Sequence, residues 1–176
     1  MTATDFPIEI GEGFAGEGPN AAHINTVLGL RNGPVGTAFA TALAQPSPGH
    51  VPFLAVWSPN IPIEPATLFV NKATITDDNH GALTWGAAQA GVAAGVTEFA
   101  ADELDSRLYS LLALIVAVWV NPAADDANQV FANNHVATLT ALRRGSQQHV
   151  SDSAANTAIS ALKSELRPNN PYFTPR

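Results

Sequence analysis

The sequence has no cysteine and very little charge. With zero cysteines among 176 residues, disulfides, thiolate metal sites and a cysteine nucleophile are all excluded. Charged residues make up 13% of the chain while hydrophobic residues make up 46%. A chain with so few charges to cover its exterior is expected to hide part of it against copies of itself, as a homo-oligomer. Positive charge is scarcer still: 8 Lys and Arg face 15 Asp and Glu, for a net charge of -7. No cationic stripe is available to displace counterions, which argues against nucleic acid as a partner. Long apolar runs are missing too. The most apolar stretch, Leu108 to Val120, is too short to cross a bilayer and reads as a buried strand. Met1 to Pro7 shows no basic region followed by an apolar one, so no signal peptide is expected. The expectation is one soluble, cytoplasmic domain with a sizeable core and no membrane partner.

What is present is a pair of polar couplets set into apolar extended stretches. His23 and Asn25 lie in Asn20-Ala-Ala-His-Ile-Asn-Thr-Val-Leu28, and Lys72 and Thr74 in Leu68-Phe-Val-Asn-Lys-Ala-Thr-Ile75. Residues two apart in a strand share a face, so each couplet presents two polar side chains together. Ala22, Ile24, Leu28 and Leu30 occupy the alternate positions and should face a core. Extended segments are expected at about Phe6–Ala15, Ala21–Arg31, Val51–Ser58, Pro65–Thr76 and Leu108–Val120.

Helices are expected between them. One follows Gly33-Pro34, with proline at the first helical position, and carries Val35, Phe39 and Leu43 before stopping at Pro46. A second spans about Asp78 to Ala100, with a stripe of Trp85, Gln89, Val92, Val96 and Phe99. Its Gly86, Gly91 and Gly95 each cost about 1 kcal/mol relative to alanine, and they permit close approach of another backbone. A third begins near Asn121-Pro122, has Asp125 and Asp126 at its positive end, and finishes Arg143-Arg144-Gly145. The arginine pair is read as completing that terminus. The tail from Ser151 holds one short amphipathic helix with Ala155, Ile159, Leu162 and Leu166 on one side, followed by Pro168, Pro171 and Pro175. The expected division is residues 1–150 as the domain and 151–176 as a helical tail.

The order of these motifs resembles the formaldehyde-activating enzyme family. The resemblance is carried by Gly11-Glu-Gly-Phe-Ala-Gly-Glu-Gly-Pro-Asn-Ala-Ala-His-Ile-Asn25, Phe53-Leu-Ala-Val-Trp-Ser-Pro-Asn-Ile-Pro62 and Thr67-Leu-Phe-Val-Asn-Lys-Ala-Thr-Ile75. It continues through Gly86-Ala-Ala-Gln-Ala-Gly-Val92 and Asn121-Pro-Ala-Ala-Asp-Asp-Ala127, and covers roughly residues 6 to 145. It implies a two-layer α/β (α+β) fold of the ribosomal protein S5 domain 2-like type, an antiparallel-rich sheet packed by helices, assembled as a homopentamer. It also implies a lyase reaction: condensation of formaldehyde with tetrahydromethanopterin to the methylene derivative and water, without a metal. Matched motif by motif, the proton donor falls on His23. The pterin contacts fall on Asn25, Leu54, Lys72, Thr74 and Gln89.

The residue chemistry is compatible. A pterin amine can attack formaldehyde unaided, but the carbinolamine must then lose hydroxide, and an imidazole suits protonation of that oxygen near neutral pH. Lys72 and Thr74 can donate to a heteroaromatic ring, Gln89 can donate and accept, and Leu54 offers an apolar wall. His50, His80, His135 and His149 show no spacing that suggests a metal site. Two departures stand out. The family pattern has aspartate where this chain has Asn25, and more often histidine where it has Ala90. A non-catalytic homologue that binds a pterin or an aldehyde adduct, as carrier or sensor, is the alternative those departures favour.

Overall fold

Alternating residues near the start of the chain build an antiparallel hairpin. β1 (Glu9–Ala15) and β2 (Ala22–Leu30) pair with Glu12 opposite Asn25 and Phe14 opposite His23. The structure, a computed structural model, describes residues 6–147 and 152–168, so His149, Pro171 and Pro175 lie outside the described residues. β2 continues into antiparallel pairing with β7 (Leu112–Trp119), setting His23 opposite Trp119 and Asn25 opposite Ala117. β6 (Ala66–Asn71) lies parallel to β7, and the two-residue β3 (Phe53–Leu54) closes the far edge. The sheet order is β1-β2-β7-β6-β3, with β4 (Val56–Ser58) and β5 (Ile61–Pro62) forming a small separate ribbon. Three of its four pairings are antiparallel, as expected.

One face of this sheet packs on helices. α2 (Asp78–Ala82), a widened π turn at Leu83–Ala88, and α3 (Gln89–Glu103) carry the chain from β6 to β7, and α4 (Ala127–Gln147) lies alongside. Ile24, Leu28, Leu114, Val116 and Val118 from the sheet meet Val92, Val96 and Phe99 from α3 and Val130, Ala137 and Ala141 from α4. Glycine lets the layers come this close. A Cβ on Gly11 or Gly13 would collide with the carbonyl oxygen of Ala141 or Ala137, so β1 presses its backbone directly on α4. Gly91 and Gly95 serve the α3–α4 contact in the same way, against the carbonyls of Phe131 and His135, whereas Gly86 has open space around it.

The opposite face of the sheet is covered unevenly. α1 (Pro34–Ala44) crosses one end, where Val35 packs against Gly29. Only Val35 of its expected stripe is buried; Phe39 is intermediate and Leu43 is exposed. Beyond α1 the described residues leave the face half-open, and it is here that His23 and Asn25 stand.

Several expectations are corrected. The strand expected across Pro65–Thr76 ends at Asn71, because the Asn71 amide donates to the carbonyls of Gly49 and Ala73 and bends the chain. The apolar run from Leu108 begins as a 3-10 turn over Ser106–Leu111, capped by Asp105, and becomes strand only at Leu112. Arg144 lies in the last turn of α4, as expected of the pair, but both side chains reach to other elements and the helix passes Gly145. Arg143 binds Glu103 (2.6 Å) and Asp102 (3.4 Å) of α3, Arg144 donates to the Glu12 carbonyl (3.1 Å), and the helix continues to Gln147. At its other end Asp126 caps as expected, accepting the N–H groups of Asn128 and Gln129. The tail forms α5 (Asp152–Lys163), whose Ile159 and Leu162 are exposed, as is Leu166 beyond it.

Candidate functional site

Register across four strands assembles a polar cluster on the half-open face. Phe14, His23 and Trp119 lie in one row, and Glu12, Asn25, Ala117 and Val70 in the next. Lys72 follows β6 directly; its N–H still bonds to the Val118 carbonyl at 2.7 Å, so it keeps the strand direction for one further residue. From there its ammonium crosses β7 and donates to Asn25 Oδ1 at 2.8 Å. His23 Nε2 donates to Glu12 Oε1 at 2.9 Å, and its ring stacks on Phe14 with centroids 3.9 Å apart and planes 15° off parallel. Asn25 Nδ2 points at the same Glu12 oxygen from 3.4 Å. The imidazole and the ammonium expected from the two couplets therefore meet, linked through one carboxamide and one carboxylate.

The electrostatics follow from burial against charge. His23 is pushed below its ordinary value chiefly by burial; the hydrogen bond and charge of Glu12 pull it up, and the nearby Lys72 charge pushes it down. Lys72 is pushed down to about 8, again mainly by burial, with Glu12 opposing. Asn25 suits its place between them. Its oxygen accepts from the ammonium while its nitrogen faces the carboxylate; an aspartate here would set a second anion against Glu12.

The remaining expected residues stand elsewhere. Leu54 and Gln89 share a groove of about 490 Å³ with Val51, Phe53, Val56 and Trp85, a volume typical of small-molecule sites. None of His23, Asn25, Lys72 and Thr74 is among its lining residues. Gln89 is fixed by donating from Nε2 to the Val56 carbonyl at 2.8 Å. Trp85 stands 51% exposed at the groove's edge, not in the core stripe expected of it, because the π turn shifts the helix phase between Trp85 and Val92. Thr74 belongs to a third network. His50 Nδ1 bonds the Asn71 carbonyl at 2.9 Å and must carry the proton, so Nε2 accepts from the Thr74 hydroxyl at 3.0 Å.

Glu12, Phe14 and Trp119 are the cluster members that sequence reasoning missed. A signal existed for the first two. In β1 the buried positions are Glu9, Gly11 and Gly13, so Glu12 and Phe14 fall on the face that His23 shares. Among the described residues no group of three or more His, Asp or Glu side chains is placed to hold a metal ion, and no helix is long and apolar enough to cross a membrane.

The chain is 38% identical over 164 residues to the 5,6,7,8-tetrahydromethanopterin hydro-lyase of Methanosarcina barkeri, covering 93% of this chain and 89% of that protein. It is also 38% identical over 144 residues to a bifunctional enzyme Fae/Hps of Methanosphaera stadtmanae, and 40% identical over 141 residues to one of Methanocella arvoryzae. Those matches cover 81% and 80% of this chain but 36% of each bifunctional protein, so the chain spans about a third of their length. The model of the formaldehyde-activating enzyme (Fae) family matches residues 10–161, reaching into α5, and the chain belongs to that family.

Proposed function

We propose that this protein is a carbon–oxygen lyase that condenses formaldehyde with tetrahydromethanopterin, or a closely related reduced pterin, to give the methylene-pterin and water. The observation that carries this reading is the cluster of Glu12, His23, Asn25 and Lys72 on the half-open sheet face of a chain that belongs to the family. His23 acts as general acid on the carbinolamine hydroxyl, and Glu12 supports its protonated form. Asn25 and Lys72 bind the pterin at the cluster, and Leu54, Gln89 and Thr74 contact it from the neighbouring loops and groove. The protein works in the cytoplasm as a homopentamer, which accounts for the exposure of Ile10, Val51, Leu54 and Trp85 in the single chain.

The test is the rate of adduct formation from formaldehyde and tetrahydromethanopterin above the spontaneous rate. His23→Ala is expected to remove about two to four powers of ten of the acceleration, the usual share of general acid catalysis. No acceleration by the unaltered protein would refute the reading. Asn25, where the family pattern has a carboxylate, favours a second one: a homologue that binds a pterin or an aldehyde adduct as carrier or sensor. Tight pterin binding without acceleration is the outcome that would select it.

A further inference from the structure

Lys72 and Lys163 are the only lysines among the 176 residues, and their surroundings differ. Lys163 is exposed at the end of α5. Lys72 is partly buried, and its Nζ is aimed by a neutral amide, Asn25 Oδ1 at 2.8 Å, while Glu12 acts on it only through space. His23, an acid on the same face, is close enough for the two charges to oppose each other. Cysteine, the other strong nucleophile toward aldehydes, is absent from the sequence.

We propose that Lys72 is a nucleophile that captures formaldehyde and holds the one-carbon unit covalently before passing it on. This rests on the reading that the site handles formaldehyde. Nζ forms a bond to the carbonyl carbon, the carbonyl π pair moves to oxygen, and the proton lost from nitrogen ends on that oxygen, giving hydroxymethyl-lysine. His23 then protonates the hydroxyl, the C–O bond breaks, water leaves, and the nitrogen lone pair makes a methylene-iminium. A pterin amine adds to that carbon and returns its proton to His23. The lysine nitrogen takes a proton and departs as the pterin nitrogen forms its own iminium, and a second pterin amine closes the methylene bridge and releases that proton. Nothing is oxidised or reduced.

Burial supports this role, since it is the main influence that takes the Lys72 ammonium down to about 8. At pH 7 roughly a tenth of such amines are neutral, against fewer than about one in a thousand for an unperturbed lysine.

The experiment treats the full chain with isotope-labelled formaldehyde and cyanoborohydride at neutral pH, which turns an iminium into N-methyl-lysine, and maps the label by mass spectrometry. Labelling at Lys72, whose ammonium burial takes down to about 8 and whose Nζ is aimed by Asn25, is expected to exceed that at the exposed Lys163 by at least about tenfold. Asn25→Asp, which sets a carboxylate against the ammonium, is expected to lower it by about tenfold. Equal labelling of the two lysines overturns the proposal. Lys72→Arg keeps the cation and removes the nucleophile; it should lower kcat of the pterin condensation far more than it raises KM. If this variant, shown folded by circular dichroism, accelerates condensation as well as the unaltered protein, capture by Lys72 is wrong and the condensation reading stands. If Lys72 is selectively labelled while the unaltered protein gives no acceleration, capture stands and the condensation reading falls. Should Lys72→Arg fail to fold, the labelling ratio of the two lysines decides.

Discussion

At the scale of single residues, Glu12 is the side chain whose meaning depends most on the fold. By itself it is a half-exposed carboxylate; opposite Asn25 and bonded to His23 it decides how readily the imidazole holds a proton. A general acid acts in its protonated form. Because burial leaves His23 below its ordinary value, catalysed condensation should decline as pH rises through a point under 6.5. Glu12→Gln removes the charge and weakens the hydrogen bond that raise it, so the decline should move to lower pH. A pH–rate profile of the two proteins checks this, and an unmoved profile would mean that another group supplies the proton. The sequence made His23 and Asn25 legible because their own strand alternates. The same alternation marks Glu12 as facing away from the core, but its place beside His23 was not legible, since a period of two within a strand does not say which strand lies next to it. Thr74 was misplaced for a local reason: the Asn71 side chain competes for backbone carbonyls and ends the strand just before the couplet.

At the scale of elements, the close contact between β1 and α4 is the one that fixes the cluster's outer row. Gly11→Ala sets a methyl group into the Ala141 carbonyl, so strand and helix must part. An overpacked joint of this kind costs about 1–3 kcal/mol, which denaturant titration of the variant should register as a lowered midpoint. Gly86→Ala is the matched control, with open space around its position and a helical backbone, and should leave stability equal or higher. Most elements were visible in the sequence: β2 and α1 fall close to their expected bounds, whereas β1 begins three residues late, at Glu9, and α4 begins at Ala127, six residues past Asn121. The π turn was not. A helix of regular phase would put Trp85 and Val92 on one stripe, and only the inserted residue of the widened turn separates them. The 3-10 turn before β7 was hidden for the opposite reason, because an apolar run gives no hint of the Asp105 cap that opens it.

At the scale of the whole molecule, the half-open face is a surface that the described residues cover only in part. Ile8 and Ile10 stand 47% and 59% exposed on the same side of β1 as Glu12 and Phe14. If copies of the chain cover this face, Ile10→Glu should shift the sedimentation profile toward smaller species without loss of helical circular dichroism. An unchanged profile would place the interface elsewhere. The arrangement of partners along the chain also governs how the molecule is made. β1 and β2 leave the ribosome first, yet β2 must wait for β7 and β1 for α4, and Asn20 at the entry to β2 bonds to Asp125 and Asp126 more than a hundred positions downstream. During synthesis the hairpin that carries His23 and Glu12 therefore stays bare until nearly the whole domain has been translated, which makes it the stretch most in need of a chaperone's shelter.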